Sequence, residues 1–489
     1  MSRPSFRPDR VAWTVLGLTV LALVIGYQIK AQCTGAPFDE LGRSEGFAST
    51  PGRICYSDLQ FLWTGREVNN HVFPYLTGWI DGDGKLQGGA IEYPVLSGLM
   101  FWVGAIGAHN DAEFLLHMAL LLAPFGMLTG WVLAKVSGRT AALWALAPPL
   151  ALYAFHNMEL PVVAAATVGF GIMAWADRTG GSIRIPAMAT AAVFAVGFDL
   201  KIYPGLFVAP LVLYVLTHGR SGTAGLGRID SDAPDGPGRR ARVDWRLLDW
   251  MGAAATAATA VVVAVAINVP FMVFGFEGWR ASLKFQELRT ADLSTNSIWY
   301  WGVLKAFDDP KDYDAFVASL SPLLIVISIA ALLVYGWLRY RRTGVYPWLG
   351  VSGAILAAFM LFHKVHSPQY VLWLLPFFVL LKVDWRLVAA YLLFDLSLEL
   401  TVWNYFSEHA ANLPITWWVQ WGVWIGVWGR AALLVVFIWY LPRCALRLRS
   451  ESGSEGESGA PSSTPPAGSS SGGEYGPGNV DRTRSSSDR

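Results

Sequence analysis

Long apolar runs recur along this sequence and constrain its fold more than any other feature. The runs at 11–31, 113–134, 249–273 and 317–336 are each long enough to cross a bilayer as a helix. Apolar residues fill 54% of the 489 positions and charged residues only 15%, which excludes an ordinary soluble enzyme. We therefore predict an all-α polytopic membrane protein that contacts membrane lipids. The net charge of +1 gives no indication of a nucleic-acid partner.

Basic residues predict how these helices are oriented. Counting every apolar run as a span gives thirteen, and the positive-inside rule then fails after the second span. The run at 93–108 starts at Tyr93-Pro94 and holds several glycines. If it lies on the membrane surface as an interfacial helix, with Pro94 in its first turn, about twelve transmembrane helices remain and the basic clusters all fall on one side.

This orientation divides the chain into three predicted parts. Two long outer segments, at about 32–112 and 274–316, interrupt the membrane-embedded region. Ser, Gly and Pro dominate the end of the chain, which is too polar to bury a core. The parts are a cytoplasmic N-terminus over 1–10, a transmembrane domain over 11–440, and a disordered cytoplasmic tail over 441–489.

Two cysteines fall in the first outer segment. Cys33 and Cys55 lie there together, whereas Cys444 follows the last span. A compartment outside the cytoplasm favours a Cys33–Cys55 disulfide. Two unpaired structural cysteines are the alternative.

Asp58 is the first candidate for chemistry. It follows Tyr56-Ser57 in the first outer segment and precedes an aromatic stretch that can settle near the membrane surface. A carboxylate in partly apolar surroundings can accept a proton from a substrate hydroxyl. The alternative is structural, because Ser57 or Asp58 could instead cap the N-terminus of a helix. The spacing leaves both interpretations open.

Polar residues also collect at the predicted outer ends of other helices. Cations held there suit a lipid phosphate, whose charge they stabilise. A single lysine at a helix end is more simply explained by snorkelling, but two histidines and a lysine within four residues are harder to explain in that way. A histidine-based metal site is a further possibility, and the Asp-Gly repeat at 81–84 could hold a metal but is more typical of a turn. The residues concerned are Asp199, Lys201, Tyr203, Asn296, Ser297, His363, Lys364, His366, Ser367 and Gln369.

Three charged residues fall inside predicted spans. Asp395 and Arg430 come out at similar depth when counted from the inner ends of their helices. Because a charge buried in lipid needs a partner, we predict an Asp395–Arg430 pair with a mainly structural role. Glu399 is the third such residue.

Several segments, taken in order, resemble glycosyltransferase family 87 of the GT-C superfamily. That family includes polyprenyl-phosphate-mannose-dependent mannosyltransferases and a related arabinofuranosyltransferase. The resemblance runs from about residue 11 to 440. It departs from the family pattern at Val95, where a second proline is frequent, and in the short Asn296-Ser297 signature. The matching pieces are Asp58 with its aromatic followers, Pro74-Tyr75, Glu92-Tyr93-Pro94, Leu200-Lys201-Ile202-Tyr203-Pro204, Asn296-Ser297, and His366-Ser367-Pro368-Gln369-Tyr370 ahead of Leu372-Trp373-Leu374-Leu375-Pro376.

The resemblance implies a GT-C bundle of transmembrane helices with surface helices in the first outer loop and a cavity beneath that loop. It implies an inverting transfer of a sugar from a polyprenyl-phosphate donor to a lipid-linked or glycan acceptor, outside the plasma membrane. Asp58 becomes the general base. No cofactor is implied, although a divalent metal is possible. The residues that it suggests for the donor phosphate and substrates are Lys201, Tyr203, Asn296, Lys364, His366, Gln369, Tyr75, Glu92 and Tyr93.

Other functions remain open at this point. An arabinofuranosyltransferase of the same family is one. A lipid or polysaccharide transporter would share the helix number, but transporters more often show duplicated halves and broken helices at the midplane. A scaffold whose polar residues only cap helices is the third.

Overall fold

Helices form nearly all of the regular structure, because backbone amides and carbonyls in lipid must be satisfied within their own segment. The computed structural model describes residues 10–48, 54–218 and 244–448. In chain order the helices are α1 (Arg10–Ala31), α2 (Glu45–Ala48), α3 (Asp58–Gly65), α4 (Val95–Ala105), α5 (Asp111–Ser137), α6 (Ala142–Leu146), α7 (Pro148–Tyr153), α8 (Glu159–Thr179), α9 (Arg184–Leu200), α10 (Val208–His218), α11 (Trp250–Phe274), α12 (Phe276–Leu288), α13 (Ile298–Trp301), α14 (Pro310–Thr343), α15 (Trp348–Phe362), α16 (Val371–Leu380), α17 (Trp385–Ala410) and α18 (Trp417–Tyr440).

The long apolar runs coincide with α1, α5, α11 and α14, so the class of an all-α polytopic membrane protein is confirmed. Within the described ranges, seven helical stretches are long and apolar enough to cross a membrane. Four shorter apolar stretches of 10–17 residues accompany them. The number of about twelve spans stays a prediction.

The predicted interfacial helix is shorter than its apolar run. Helix α4 covers Val95–Ala105, and Pro94 precedes it as the capping residue and does not lie in its first turn. Eleven residues are too few to cross a bilayer. Nearby, β1 (Trp79–Ile80) and β2 (Leu86–Gln87) form an antiparallel hairpin with Trp79 opposite Gln87.

The centre and the periphery of the bundle differ in burial. Helix α16 is buried along its whole length, as expected for a helix that is apolar on every face. Little of α11 and α14 is buried, and because these helices are strongly apolar, we assign their outer faces to lipid.

The end of the bundle corrects one predicted boundary. The disordered tail was expected from residue 441, but Leu441 and Pro442 are buried, and Leu446 pairs with Leu381. Apolar side chains in this stretch therefore pack before the polar composition begins. The chain separates into two units, 1–449 and 450–489, and the second lies outside the described residues.

Several contacts fix the position of Asp58. Lys30, at the end of α1, donates from Nζ to the carbonyls of Ile54 (2.9 Å) and Tyr56 (2.8 Å). Cys33 and Cys55 form a disulfide with Cα atoms 5.7 Å apart. Ser57 is the N-cap of α3, since its Oγ accepts from the backbone N–H of Leu59 at 3.2 Å. Asp58 is therefore the first residue of α3, and its side chain is not the cap.

Tyr75 has a structural position that the sequence did not reveal. It is fully buried and its hydroxyl donates to the carbonyls of Tyr93 (2.9 Å) and Pro94 (3.0 Å). A side chain at Gly98 would meet the Tyr75 hydroxyl at 2.1 Å, so the close approach requires glycine there. Tyr75 is not among the residues that line the cavity described below, so the suggested substrate contact is corrected to support of the 93–94 segment.

Candidate active site

One large cavity lies where the two long connections meet the helix ends. Its volume is about 1120 Å³. The α1–α5 connection supplies Asp58, Glu92 and Tyr93, and the α11–α14 connection supplies Arg289 and Asn296. The remaining walls come from the α7–α8 turn, the end of α9 with the residues that follow it, α11, the end of α15 with the 363–373 segment, and α17. Ligand pockets for drug-sized molecules reach roughly 1,000 Å³, so this cavity has room for more than one small substrate.

Neutral donors hold Asp58 at the cavity wall. Asn157 Nδ2 donates to Asp58 Oδ2 at 2.7 Å and to the Tyr93 hydroxyl oxygen at 2.6 Å. The Tyr56 hydroxyl also lies against the carboxylate. Burial, together with the Asp58 charge, raises the pKa of Tyr56 well above its ordinary value, so this hydroxyl keeps its proton. The Asp58 side chain is 25% exposed, which leaves it open to the cavity.

His156 lies beside Asp58 and was not singled out from the sequence. Its Nε2 is 3.7 Å from Asp58 Oδ2, beyond ordinary hydrogen-bond distance. Burial is the main cause that lowers the pKa of His156 to about 4. The imidazole is therefore neutral at physiological pH. His156 and Asn157 form a polar turn between two apolar helices, and that contrast was the sequence signal that could have found them.

Lys201 faces the cavity, but its charge is already balanced. Its Nζ pairs with Glu159 Oε1, and Glu159 Oε2 accepts from Trp373 Nε1. The ammonium also lies 5.2 Å from the centre of the Tyr370 ring and 5.4 Å from that of Trp373. A lysine that already neutralises a buried carboxylate has less charge to offer a phosphate.

Arg289 is the cation that the sequence did not reveal. It lines the cavity and shares the surroundings of Tyr56, Tyr93 and Tyr370. Across residues 10–48, 54–218 and 244–448, no carboxylate forms an ion pair with it. Arginine presents several donors in a planar fork that suits phosphate oxygens. Its only sequence signal is a basic residue just after the amphipathic helix α12.

The tight turn at 363–369 divides its residues between cavity and interior. His363, Ser367 and Gln369 line the cavity, whereas Lys364 and His366 are not among the lining residues. Lys364 Nζ donates to the Glu287 carbonyl at 3.1 Å. His366 is 4% exposed, and its backbone N–H donates to Thr295 at 2.7 Å. This turn is thus interlocked with the 293–297 segment, and its cations do not form one cluster directed at a ligand.

Lys364 still adds positive charge near the site. Burial and the neighbouring Arg289 lower its pKa, which shows that the two cations influence each other. Burial also lowers the pKa of His363 to about 4. The positive charge on this side comes from Arg289, which lines the cavity, and from Lys364, which does not, while His363 is neutral.

Unpartnered polar atoms line other parts of the wall. Asn296 Oδ1, Gln369 Oε1 and the Tyr203 hydroxyl are buried and have no hydrogen-bond partner among the described residues. Buried polar atoms are ordinarily satisfied, so such atoms on a cavity wall are suited to a bound ligand. Glu92 differs, because it forms an ion pair with Arg66.

Asp395 and Arg430 lie apart from the cavity-lining residues. Arg430 Nη1 is 3.1 Å from Asp395 Oδ1, and the Tyr153 hydroxyl donates to Asp395 Oδ2 at 3.0 Å. Both charged side chains are at most 1% exposed. This geometry is the one that the predicted structural pair requires.

Neither proposed metal position gathers enough ligands. In the described part of the chain, no group of three or more His, Cys, Asp or Glu residues is placed to hold a metal ion. Asp81 Oδ1 instead accepts from the backbone N–H groups of Asp83 (3.0 Å) and Lys85 (2.9 Å), which is a turn.

A comparison with protein-family models identifies the family of this chain. Residues 182–426, half of the chain, match the model of a family described as Mannosyltransferase (PIG-M). The chain belongs to that family and is a multi-pass membrane glycosyltransferase. The matched region includes Lys201, Arg289 and Asn296, whereas Asp58 lies before it. No curated protein matches the chain. Membership of family 87 and dependence on polyprenyl-phosphate mannose stay predictions.

Proposed function

We propose that this protein is an inverting mannosyltransferase that moves mannose from a polyprenyl-phosphate donor to a lipid-linked or glycan acceptor. The observation that supports it most is a shared cavity. Asp58, held by neutral donors, and Arg289, without a carboxylate partner, both face the same space of about 1120 Å³. An acid and a cation that are not neutralised by each other are the two groups that this chemistry needs.

Asp58 acts on the acceptor. A sugar hydroxyl is a weak nucleophile, so a positioned base makes roughly a 10²–10⁴-fold difference in rate. Asp58 takes the hydroxyl proton while the acceptor oxygen forms a bond to the anomeric carbon of mannose. The bond from that carbon to the phosphate oxygen breaks, and its electron pair leaves with polyprenyl phosphate. A single displacement of this kind inverts the anomeric configuration.

Arg289 acts on the donor. Its guanidinium is suited to bind the phosphate and to stabilise the charge that develops on it as the bond breaks. Lys364, which does not line the cavity, adds to the positive potential around Arg289. Lys201, paired with Glu159, positions the aromatic wall of Tyr370 and Trp373. A phosphate leaves without prior protonation, so no general acid is required.

Two features support a reaction on the extracytoplasmic face of the plasma membrane. The Cys33–Cys55 disulfide lies beside the segment that carries Asp58, and disulfides persist in oxidising compartments. The predicted basic clusters fall at the opposite ends of the helices. Both features support our proposal that the active site faces outwards.

Incubation of purified protein in lipid nanodiscs with labelled donors tests the proposal. Polyprenyl-phosphate mannose and polyprenyl-phosphate arabinose are offered separately, with octyl α-mannoside as acceptor and the Asp58→Asn variant as control. We expect transfer of mannose with inversion, seen by NMR of the product, and loss of transfer in the variant. Preferential transfer of arabinose supports the pentosyltransferase instead. If neither donor supports transfer and the protein moves lipid across the membrane of sealed vesicles, the result supports a transporter.

A further inference from the structure

Besides Asp58, the carboxylate of Asp199 lines the cavity and has no part in the proposed chemistry. Asp199, one residue before the end of α9, is 1% exposed and lines the cavity. Its Oδ1 accepts from Asn268 Nδ2 at 2.7 Å. Its Oδ2 is buried and has no hydrogen-bond partner among the described residues. No ion pair involving Asp199 occurs in that same part of the chain.

The partners of Asp199 form a fixed polar strip on this wall. Asn268, from α11, also donates to the Ala264 carbonyl at 2.9 Å, and its Oδ1 accepts from Trp279 Nε1 at 2.9 Å. Both donors of the amide and its acceptor are thus engaged, so Asn268 cannot turn to satisfy Asp199 Oδ2. Asn268 and Trp279 line the cavity as well.

The chemistry of this strip selects the ligand. An ionised carboxylate is only an acceptor, so Asp199 Oδ2 requires a donor. A phosphate would be repelled by the carboxylate, which excludes the donor's charged group from this position. A sugar ring, which is neutral and carries several hydroxyl donors, satisfies the free oxygen and can stack on Trp279.

The residues next to Asp199 in the chain form an apolar part of the cavity rim. Phe198 and Ile202, on either side of Asp199 in the chain, also line the cavity and are 37% and 50% exposed. On a protein that spans a membrane, exposed apolar side chains at a cavity rim contact lipid. The strip at Asp199 therefore lies close to the part of the cavity rim that faces lipid.

We infer that Asp199, with Asn268 and Trp279, forms a subsite for a sugar of the acceptor. This inference rests on the proposed function. The donor sugar must lie between Asp58 and the phosphate-binding Arg289, so a separate hydroxyl-binding strip serves the other substrate. The cavity volume accommodates both.

Steady-state kinetics with separately varied substrates test the subsite. Purified Asp199→Asn and Asp199→Ala in nanodiscs are assayed with octyl α-mannoside and polyprenyl-phosphate mannose. We expect the acceptor KM to rise roughly tenfold or more, as for loss of a hydrogen bond to a charged group, while the donor KM and kcat stay within twofold. The matched control is Asp312→Asn, an exposed carboxylate at the start of α14 that does not line the cavity. An unchanged acceptor KM, or a rise in the donor KM alone, overturns the inference.

A second variant and a binding measurement keep the test independent of folding and of transfer. Trp279→Phe keeps an aromatic ring but removes the N–H that donates to Asn268. We expect it to raise the acceptor KM by less than the Asp199 variants do, and it tests the subsite even if those variants do not fold. Saturation-transfer NMR with methyl α-mannoside, without donor, should show a signal that Asp199→Asn weakens. If wild-type protein binds through Asp199 yet transfers from neither donor, the proposed function fails and the subsite stands. If the protein transfers mannose but neither the Asp199 variants nor Trp279→Phe change the acceptor KM, the subsite is wrong and the proposed function stands.

Discussion

Asp58 and Asp395 are both carboxylates in contact with a tyrosine hydroxyl, but they lie in different regions and differ in charge balance. Asp395, in the middle of α17, is 1% exposed and paired with Arg430. Asp58, at the start of α3, is 25% exposed and held by Asn157, a neutral amide. A carboxylate neutralised by a cation gains little by accepting a proton. One that is held by neutral donors and open to a cavity can act as a base.

The comparison predicts that removing the charge of Asp58 lowers transfer, whereas disrupting the pair of Asp395 lowers stability. For Asp58→Asn we expect transfer to fall roughly 10²–10⁴-fold, the contribution of a general base. Thermal stability should stay close to wild type, because Asn157 can still bond to the new amide oxygen. Transfer assays and melting curves on the same preparation measure both. Substantial residual transfer would remove Asp58 from the mechanism.

The buried pair should show the reverse behaviour. Arg430→Met leaves Asp395 buried without a cation, which costs about 3–5 kcal/mol of stability. We expect low abundance and a lower melting temperature, and partial recovery in the Asp395→Leu, Arg430→Met double variant. Arg386→Met, at an exposed arginine, is the control. Normal abundance and melting of the single Arg430 variant would show that the pair is not structural.

The same distinction applies to Arg289 and Lys201, two of the cations that line the cavity. Arg289→Ala should lower kcat/KM for the donor roughly 10–100-fold, because a charge-assisted hydrogen bond to phosphate is lost, with little change in melting temperature. Lys201→Met should instead destabilise the fold, since it leaves Glu159 buried and unpaired. The control is Arg280→Ala, an exposed arginine on α12 that does not line the cavity. If Arg280→Ala and Arg289→Ala behave alike, Arg289 does not bind the donor.

His156 lies between the two regions and gives the smallest expected effect. Its Nε2 is 3.7 Å from Asp58, and its ring centre is 6.3 Å from that of Tyr153, which bonds to Asp395. Its pKa is about 4 when folded and 6.5 ordinarily, so the unfolded chain takes up the proton first as pH falls. The neutral histidine thus contributes stability above pH 6.5 that is lost towards pH 4, about 1 kcal/mol between pH 7 and 5.5.

Melting curves of wild type and His156→Gln at pH 7 and 5.5 measure that contribution. We expect the wild type to lose more stability over this interval than the variant. Transfer should show no titration near pH 6.5 from His156. Equal loss in both proteins would mean that His156 titrates normally in the folded state.

The pairing of Lys201 with Glu159 marks the limit of sequence reasoning. Glu159 begins α8 and Lys201 directly follows α9, and the two helices are joined by a short turn. Antiparallel neighbouring helices place such residues at the same depth in the bundle, so this pair could have been predicted from the sequence. The burial of Tyr75 and His366 was not accessible, because a polar or aromatic residue in a connection can face a cavity or the interior with the same local pattern.

The sequence alone determined the membrane class, the positions of the long helices and the pairing of Asp395 with Arg430, because apolar run length and the cost of a charge in lipid act locally along the chain. Only the tertiary structure decided that Arg289, Asn157 and Asp199 face one cavity with Asp58. These residues come from separate connections and helix ends, and no periodicity records which of them meet. Whether each charge is neutralised depends on those distant contacts, and this determines which groups are left to act on a substrate.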